Sequence, residues 1–181
     1  MKGKYEILSK EEKELVEMKI KQLLNSDITN IFAGKQLIKI KNHRKEIFLV
    51  SREVLSLLDH FSSQPLEMLS IEHAQLKLGF FIHKKFLIGI ESLMFLAPKT
   101  QKKVQLDEEN TIKFIFGKDI EIETLSLKKQ VEHLNENETI TIFSNTDIPL
   151  GYAKIILNGA NSWLKNLIDI GIFLRSEKSA F

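Results

Sequence analysis

The sequence predicts an α+β chain in two compact domains, residues 1–98 and 101–181. The first is an antiparallel sheet with helices, and the second a small β-rich unit with a helical turn or two. Three observations predict this. Ser9-Lys-Glu-Glu12 is a capping box that leads into apolar residues at helical spacing. Beyond it, apolar residues alternate in runs of strand length with polar turns between them. Lys99 to Lys103 carries no large apolar side chain and marks a junction. A chain of 181 residues has room for two small domains.

In order, the capping box places Ser9 at the N-cap and Glu12 at N3, and the helix should run to about Asn25. Val16, Ile20, Leu23 and Leu24 share one face, with Lys13, Glu17 and Lys21 opposite. Ile28–Phe32 reads as a short strand and Ala33-Gly34 as a turn. Gln36–Lys41 sets Ile38 and Ile40 against Leu37, Lys39 and Lys41, a strand with one solvated face. Asn42-His43-Arg44-Lys45 is a polar turn, and Glu46–Val50 the returning strand. Ser51 caps a helix over Arg52–Phe61, with Val54, Leu58 and Phe61 on its buried side. Ser62–Pro65 is a loop and Leu66–Ile71 reads as a strand. Gln75–Ile82 and Phe86–Ile90 flank His83-Lys84-Lys85 as a hairpin with a basic tip. Glu91–Leu96 is a short helix or turn that Pro98 ends.

The second domain opens with a strand at Val104–Leu106. Asp107-Glu-Glu-Asn110 starts a helical turn with its acids at the positive end of the dipole; Ile112–Phe116 follow, and Gly117 stops it. Asp119–Leu127 alternates Ile120, Ile122 and Thr124 against Glu121, Glu123 and Leu125, a half-exposed strand. Asn135–Glu138 is a turn. Thr139–Phe143 is a strand that Asn145, Asp147 and Pro149 break, because Asn and Asp bond back to their own backbone and Pro lacks an N–H. Gly151 lets two backbones approach or permits a positive φ. Tyr152–Leu157 resumes as a strand, 158–161 turns, and Ile170–Leu174 is the closing strand.

Asp147-Ile-Pro-Leu-Gly-Tyr152 followed by Asp169-Ile-Gly-Ile-Phe-Leu-Arg175 resembles the C-terminal PUA domain of the Nip-seven family, small two-domain factors of large-ribosomal-subunit biogenesis. Lys85-Phe86 with Leu93-Met-Phe-Leu-Ala-Pro98 is similar to the segment that closes that family's N-terminal domain. Phe114-Ile-Phe-Gly117 is similar to the piece that opens its PUA domain. The resemblance covers residues 50–177 and is poor before them. It implies an N-terminal α/β domain followed by a PUA-like β-barrel. It also implies a non-catalytic RNA-binding factor in large-subunit biogenesis and pre-rRNA processing. The second domain would meet RNA, single-stranded and U-rich or pre-rRNA, and the first would meet assembly or RNA-processing proteins. The location implied is cytoplasmic, or nucleolar in a eukaryote; the cysteine-free, Ile- and Lys-rich composition fits an archaeal member.

Composition bounds the alternatives. At 43% apolar and 28% charged residues the chain is ordinary for a globular protein, so extensive disorder is not expected. With no cysteine there is no disulfide and no thiol chemistry. No apolar run reaches the ~18–20 residues of a membrane span, and neither a signal peptide nor a membrane partner is expected. The five histidines share no metal-ligand spacing. There is no Walker or Rossmann glycine pattern and no Gly-x-Ser-x-Gly. No catalysis, no cofactor and a monomer are expected.

Residues 1–100 hold 16 Lys and Arg against 12 acids; residues 101–181 hold 10 against 12. The densest basic cluster is Lys35, Lys39, Lys41, Arg44 and Lys45, which either meets phosphates or is a solvated edge; no aromatic residue is interleaved for stacking. By the family resemblance, RNA-contacting basic residues precede the final Asp-x-Gly strand. Lys165 is the basic match here, whereas Asn161, Ser162 and Ile168 occupy positions basic in some relatives. Lys154 and Arg175 join Lys165 as neighbours by expected strand pairing, although Arg175 has a competing partner in Asp169. Trp163 is a packing residue or a stacking platform. Glu121 and Glu123 lie where many relatives carry a glycine, and they would repel a phosphate. Two rival functions stay open: a protein-interaction adaptor whose PUA domain no longer binds RNA, and an RNA-modifying enzyme.

Overall fold

The computed structural model describes residues 5–41, 44–61, 76–158 and 161–177. The chain forms two compact units, one holding Met1–Lys21 and Asp27–Ser92, the other Gln22–Ser26 and Leu93–Phe181. Leu93–Pro98, which the sequence assigns to the first domain, therefore groups with the second.

In the first unit, β1 (Tyr5–Ile7), β2 (Lys35–Lys41), β3 (Lys45–Ser51), β4 (Leu76–Ile82) and β5 (Lys85–Ile88) form an antiparallel sheet in chain order. The capping box at the head of α1 (Lys10–Leu24) closes both ways. The Ser9 N–H donates to Glu12 Oε2 at 3.0 Å, and the Glu12 N–H donates to Ser9 Oγ at 3.2 Å. Val16 and Ile20 are buried as their spacing requires. Ile38, Ile40, Phe48 and Val50 form a core cluster with Tyr5, Val54 and Leu55 against it. Leu37, Ile47 and Leu49 are buried too, so on the face that the alternation predicts to be solvated only Lys41 is exposed, with Lys35 and Lys39 half-buried. Ser51 Oγ accepts from the Val54 N–H at 3.3 Å and starts α3 (Arg52–Phe61).

Two elements differ from the sequence reading. Ile28–Phe32 is not a strand but ends in a one-turn helix, α2 (Thr29–Phe32). The Asp27 carboxylate accepts from both the Thr29 N–H (2.9 Å) and hydroxyl (2.6 Å), a local bond that competes with a ladder. The sequence also missed β1, whose three residues are too few to show a period. The expectations for His43, Ser62–Pro65, Leu66–Ile71 and the side chains of Leu58 and Phe61 lie outside the described residues.

The second unit begins at the end of α1, where three carbonyls lack partners within the helix. They are held by the polar stretch that the sequence marks as a junction: Lys102 Nζ donates to Gln22 O (3.3 Å), Thr100 Oγ1 to Leu23 O (3.1 Å), and the Gln101 N–H to Leu24 O (2.9 Å). Asn25 then turns the chain in a left-handed conformation. Leu93–Leu96 forms α4, between two short 3-10 turns.

The sheet of this unit comprises β6 (Lys103–Leu106), β7 (Ile120–Glu121), β8 (Thr139–Ser144), β9 (Pro149–Ile156) and β10 (Trp163–Asp169). Its order is β6-β8-β9-β10-β7, with β6 parallel to β8 and the other neighbours antiparallel. It is a curled half-barrel whose inner face buries Val104, Ile120, Ile140, Ile142, Ala153, Ile155 and Leu164. Phe114 from α5 (Glu108–Ile115) and Leu127 and Val131 from α6 (Leu125–Val131) complete that core. Pro149 sits at the first position of β9, where a missing N–H does least harm. At Gly151 a Cβ would lie 2.2 Å from Ile168 O, so the close approach expected of this glycine is made by β10.

Two predicted strands of this unit are corrected. Asp119–Leu127 is a strand only at Ile120–Glu121; Thr124 Oγ1 accepts from the Leu127 N–H (3.2 Å) and opens α6. Ile170–Leu174 is not the closing strand but the first turn of α7 (Gly171–Glu177), and the strand is Trp163–Asp169. At Gly171 any Cβ would lie 1.8 Å from Ile115 O, and the helix is tied back through Arg175 rather than through a ladder.

Candidate nucleic-acid interface

Residues directly opposite on neighbouring strands share a face, so register places the basic residues of the second unit without further assumption. Lys154 on β9 pairs with Lys165 on β10, and Thr139 on β8 pairs with Lys154. Ile155 and Leu164, adjacent to these lysines, are in the core, which puts Lys154 and Lys165 on the outer face. Two residues along, Trp163 pairs with Ile156 on one side and Glu121 of β7 on the other. The outer face therefore carries Thr139, Lys154 and Lys165 in one row and Ile156, Trp163 and Glu121 in the next. Lys165 is exposed; Lys154, Ile156, Trp163 and Glu121 are half-buried.

Elsewhere the same face is closed. Thr141, Phe143 and Tyr152 are buried, and α4 lies against β9. Lys103 on β6 has its ammonium 5.9 Å from the Phe143 ring centroid. The open part is thus a two-row strip along the β9, β10 and β7 end.

Two like charges directly opposite each other cost a sheet some fraction of a kcal/mol, of order 0.2–1. Among the described residues, neither Lys154 nor Lys165 has an ion-pair partner to offset this. An anion such as a phosphate would relieve it. Trp163, two residues from Lys165 on the same face, adds a partly open indole of the kind on which a base stacks. The opposing feature is Glu121. Its carboxyl is held above the usual carboxylate range by desolvation, then by a hydrogen bond and repulsion from Glu123. Both acids border the Trp163 end of the strip.

Arg175 does not belong to this strip. It is on α7, and its guanidinium forms a fork with the Asp169 carboxylate at 2.9 and 3.0 Å and also donates to Ile115 O. The hydrogen bond it donates to Asp169 raises its pKa. Of the two roles open in the sequence, the structure shows the pairing with Asp169; strand neighbourhood with Lys154 is corrected.

The basic cluster of the first unit divides. Lys39 Nζ lies 2.8 Å from Glu12 Oε2 and 3.5 Å from Glu6, and Lys41 Nζ lies 2.7 Å from Glu6. The Glu12 hydrogen bond raises the Lys39 pKa. Lys35 donates to Ile31 O at 3.2 Å. These cations are engaged within the fold. Arg44 and Lys45 are exposed at the far end of β2 and β3, with the Arg44 guanidinium 4.9 Å from the Phe80 ring centroid. The sequence reading missed this grouping because Phe80 and the acids that take Lys39 and Lys41 are distant in the chain. Among the described residues no group of His, Asp and Glu is arranged to hold a metal ion, and no helix is long and apolar enough to cross a membrane.

No match was found among curated proteins. Residues 102–178 match the family model described as the UPF0113 PUA domain. That span takes in all five strands of the second sheet, α5, α6 and α7, and both rows of the strip. The chain is a PUA-domain protein, and the domain type points to RNA as its partner.

Proposed function

We propose that the chain is a non-catalytic RNA-binding factor of large-ribosomal-subunit biogenesis and pre-rRNA processing, a monomeric cytoplasmic member of the Nip-seven family. The PUA domain, its position after an α+β unit, and the family-like motifs at 85–98, 114–117 and 147–175 support the reading. The observation that carries the RNA contact is the Lys154–Lys165 pair beside Trp163. The ammonium groups would meet consecutive phosphates while the indole takes a base, a mode that tolerates many sequences and is steeply salt-dependent. Fluorescence anisotropy with a U-rich single strand across a salt series tests it. Lys154→Ala with Lys165→Ala should flatten the log–log salt slope by about 1.4, at roughly 0.7 per phosphate contact. An unchanged slope would remove RNA from this strip.

A second reading is favoured by one observation. Glu121 pairs with Trp163 across the sheet and Glu123 adds its repulsion there, so this end has an acidic border that suits a basic protein segment better than a phosphate. A chain that binds no RNA at low salt, yet retains a ribosome-assembly partner, would be such an adaptor.

A further inference from the structure

The two basic turns that the sequence shows separately, Arg44-Lys45 and His83-Lys84-Lys85, meet at one end of the first unit's sheet. Lys45 pairs with Phe81, and Ile82 pairs with Lys85 across the next hairpin. An open depression of about 440 Å³ lies between them, lined by Arg44, Lys45, Phe81, Ile82 and His83. Its chemistry is lopsided. Arg44, Lys45 and Lys84 are exposed, and the nearest acid along β3, Glu46, is engaged 2.7 Å from Lys77. The Phe80 ring, with its centroid 4.9 Å from the Arg44 guanidinium carbon, limits the motion of that side chain. Among the described residues the depression offers no open phenyl or indole face: Phe81 is buried and packs on Phe86 at 5.6 Å between ring centroids.

We propose that this depression binds the phosphodiester backbone of single-stranded RNA without reading its bases, through Arg44 and Lys45 with His83 at its wall and the exposed Lys84 next to it in the same turn. A site with a planar guanidinium fork and two ammonium groups suits phosphate oxygens. Among the described residues the only open ring of the site is the His83 imidazole at its wall, so contact through the cations outweighs stacking and discrimination among bases is weak. The inference rests on RNA being the chain's partner and not on where the second unit holds it.

The test uses the full chain and dodecamers of U, C and A. Arg44→Gln/Lys45→Gln/Lys84→Gln should flatten the salt slope by about 2, at roughly 0.7 per phosphate contact, and weaken all three oligomers by the same factor. The same triple change made on Lys154→Ala/Lys165→Ala should flatten the slope further by a similar amount, which separates this site from the second-unit strip. Differential lysine acetylation of the unaltered chain, read by mass spectrometry, needs no variant: RNA should protect Lys45 and Lys84. Several results would overturn the proposal. These are absence of RNA binding by the parent chain, an unchanged slope in the triple variant, a loss that differs among the three bases, or no protection by RNA. Protection by poly-glutamate but not by RNA would assign the depression to an acidic protein segment instead.

Discussion

Replacing Arg175 by Met should destabilise the second unit without changing how the chain responds to salt when it binds RNA. The perturbation deletes the bonds to both oxygens of Asp169 and the bond to Ile115 O while keeping most of the apolar stem. Asp169 is 2% exposed, so without Arg175 its charge stays buried with no partner. Removing one partner of a fully buried pair costs about 3–5 kcal/mol, and an exposed pair is worth at most about 1. Arg175 is 38% exposed on its side chain, which places the loss between these limits, at about 2 kcal/mol. For an unfolding unit of this size each kcal/mol lowers Tm by about 4–8 °C, so a fall of roughly 10 °C is expected by calorimetry or circular dichroism. Adding Asp169→Asn to Arg175→Met should restore part of the loss, because the stranded charge is then gone. An unchanged Tm would refute the reasoning. So would an unchanged Tm together with a flattened RNA salt slope, which would make Arg175 a phosphate contact rather than a clamp.

Other outcomes follow from the same contacts. Gly151→Ala would set a Cβ 2.2 Å from Ile168 O, must push the β10 backbone away and should cost about 1–3 kcal/mol in urea unfolding, whereas Gly34→Ala, whose added Cβ would meet no heavy atom within 4 Å, should lose only what its positive φ imposes. Burial works against the charge of Glu12, but the Lys39 ammonium and the Ser9 N–H hold its carboxyl below the ordinary 4.5. A depressed acid stabilises the fold above its unfolded pKa and loses that contribution as pH falls through the folded value. The stability of the first unit should therefore drop below about pH 4.5, and Glu12→Gln should flatten the drop. Glu121 has the opposite shift, raised by desolvation and Glu123, so its charge opposes the fold at neutral pH and the penalty is relieved as pH falls. Glu121→Gln should raise Tm slightly at pH 7 and, if the strip binds RNA, tighten binding there more than at pH 5.

Much was legible in the chain because it rests on bonds between near neighbours. The Ser9–Glu12 box, the apolar face of α1 and the Asp107 cap that accepts from the Asn110 N–H at 2.8 Å are all encoded within four residues. The Gly151 corner was legible for a related reason, since a glycine beside Pro and Asp allows few conformations. Where two local signals compete, alternation misled. Ile120 to Leu125 alternates like a strand, but Thr124 caps a helix there, and Ile170 to Leu174 has the β-branched and aromatic residues of a strand yet coils as α7. Tertiary contact decided both: Leu127 and Val131 enter the core, and Arg175 reaches Asp169.

Charge was the least legible property. The sequence by itself determined how many cations each half carries and that Lys165 precedes the Asp-x-Gly segment. Only the tertiary structure decided which cations are committed to the fold. It pairs Lys39 and Lys41 with Glu6 and Glu12, turns Arg175 onto Asp169, and leaves Lys154 opposite Lys165 and Arg44 beside His83. A charge acts through its distance and its solvent, and both are set by strand register and burial, which join residues tens of positions apart.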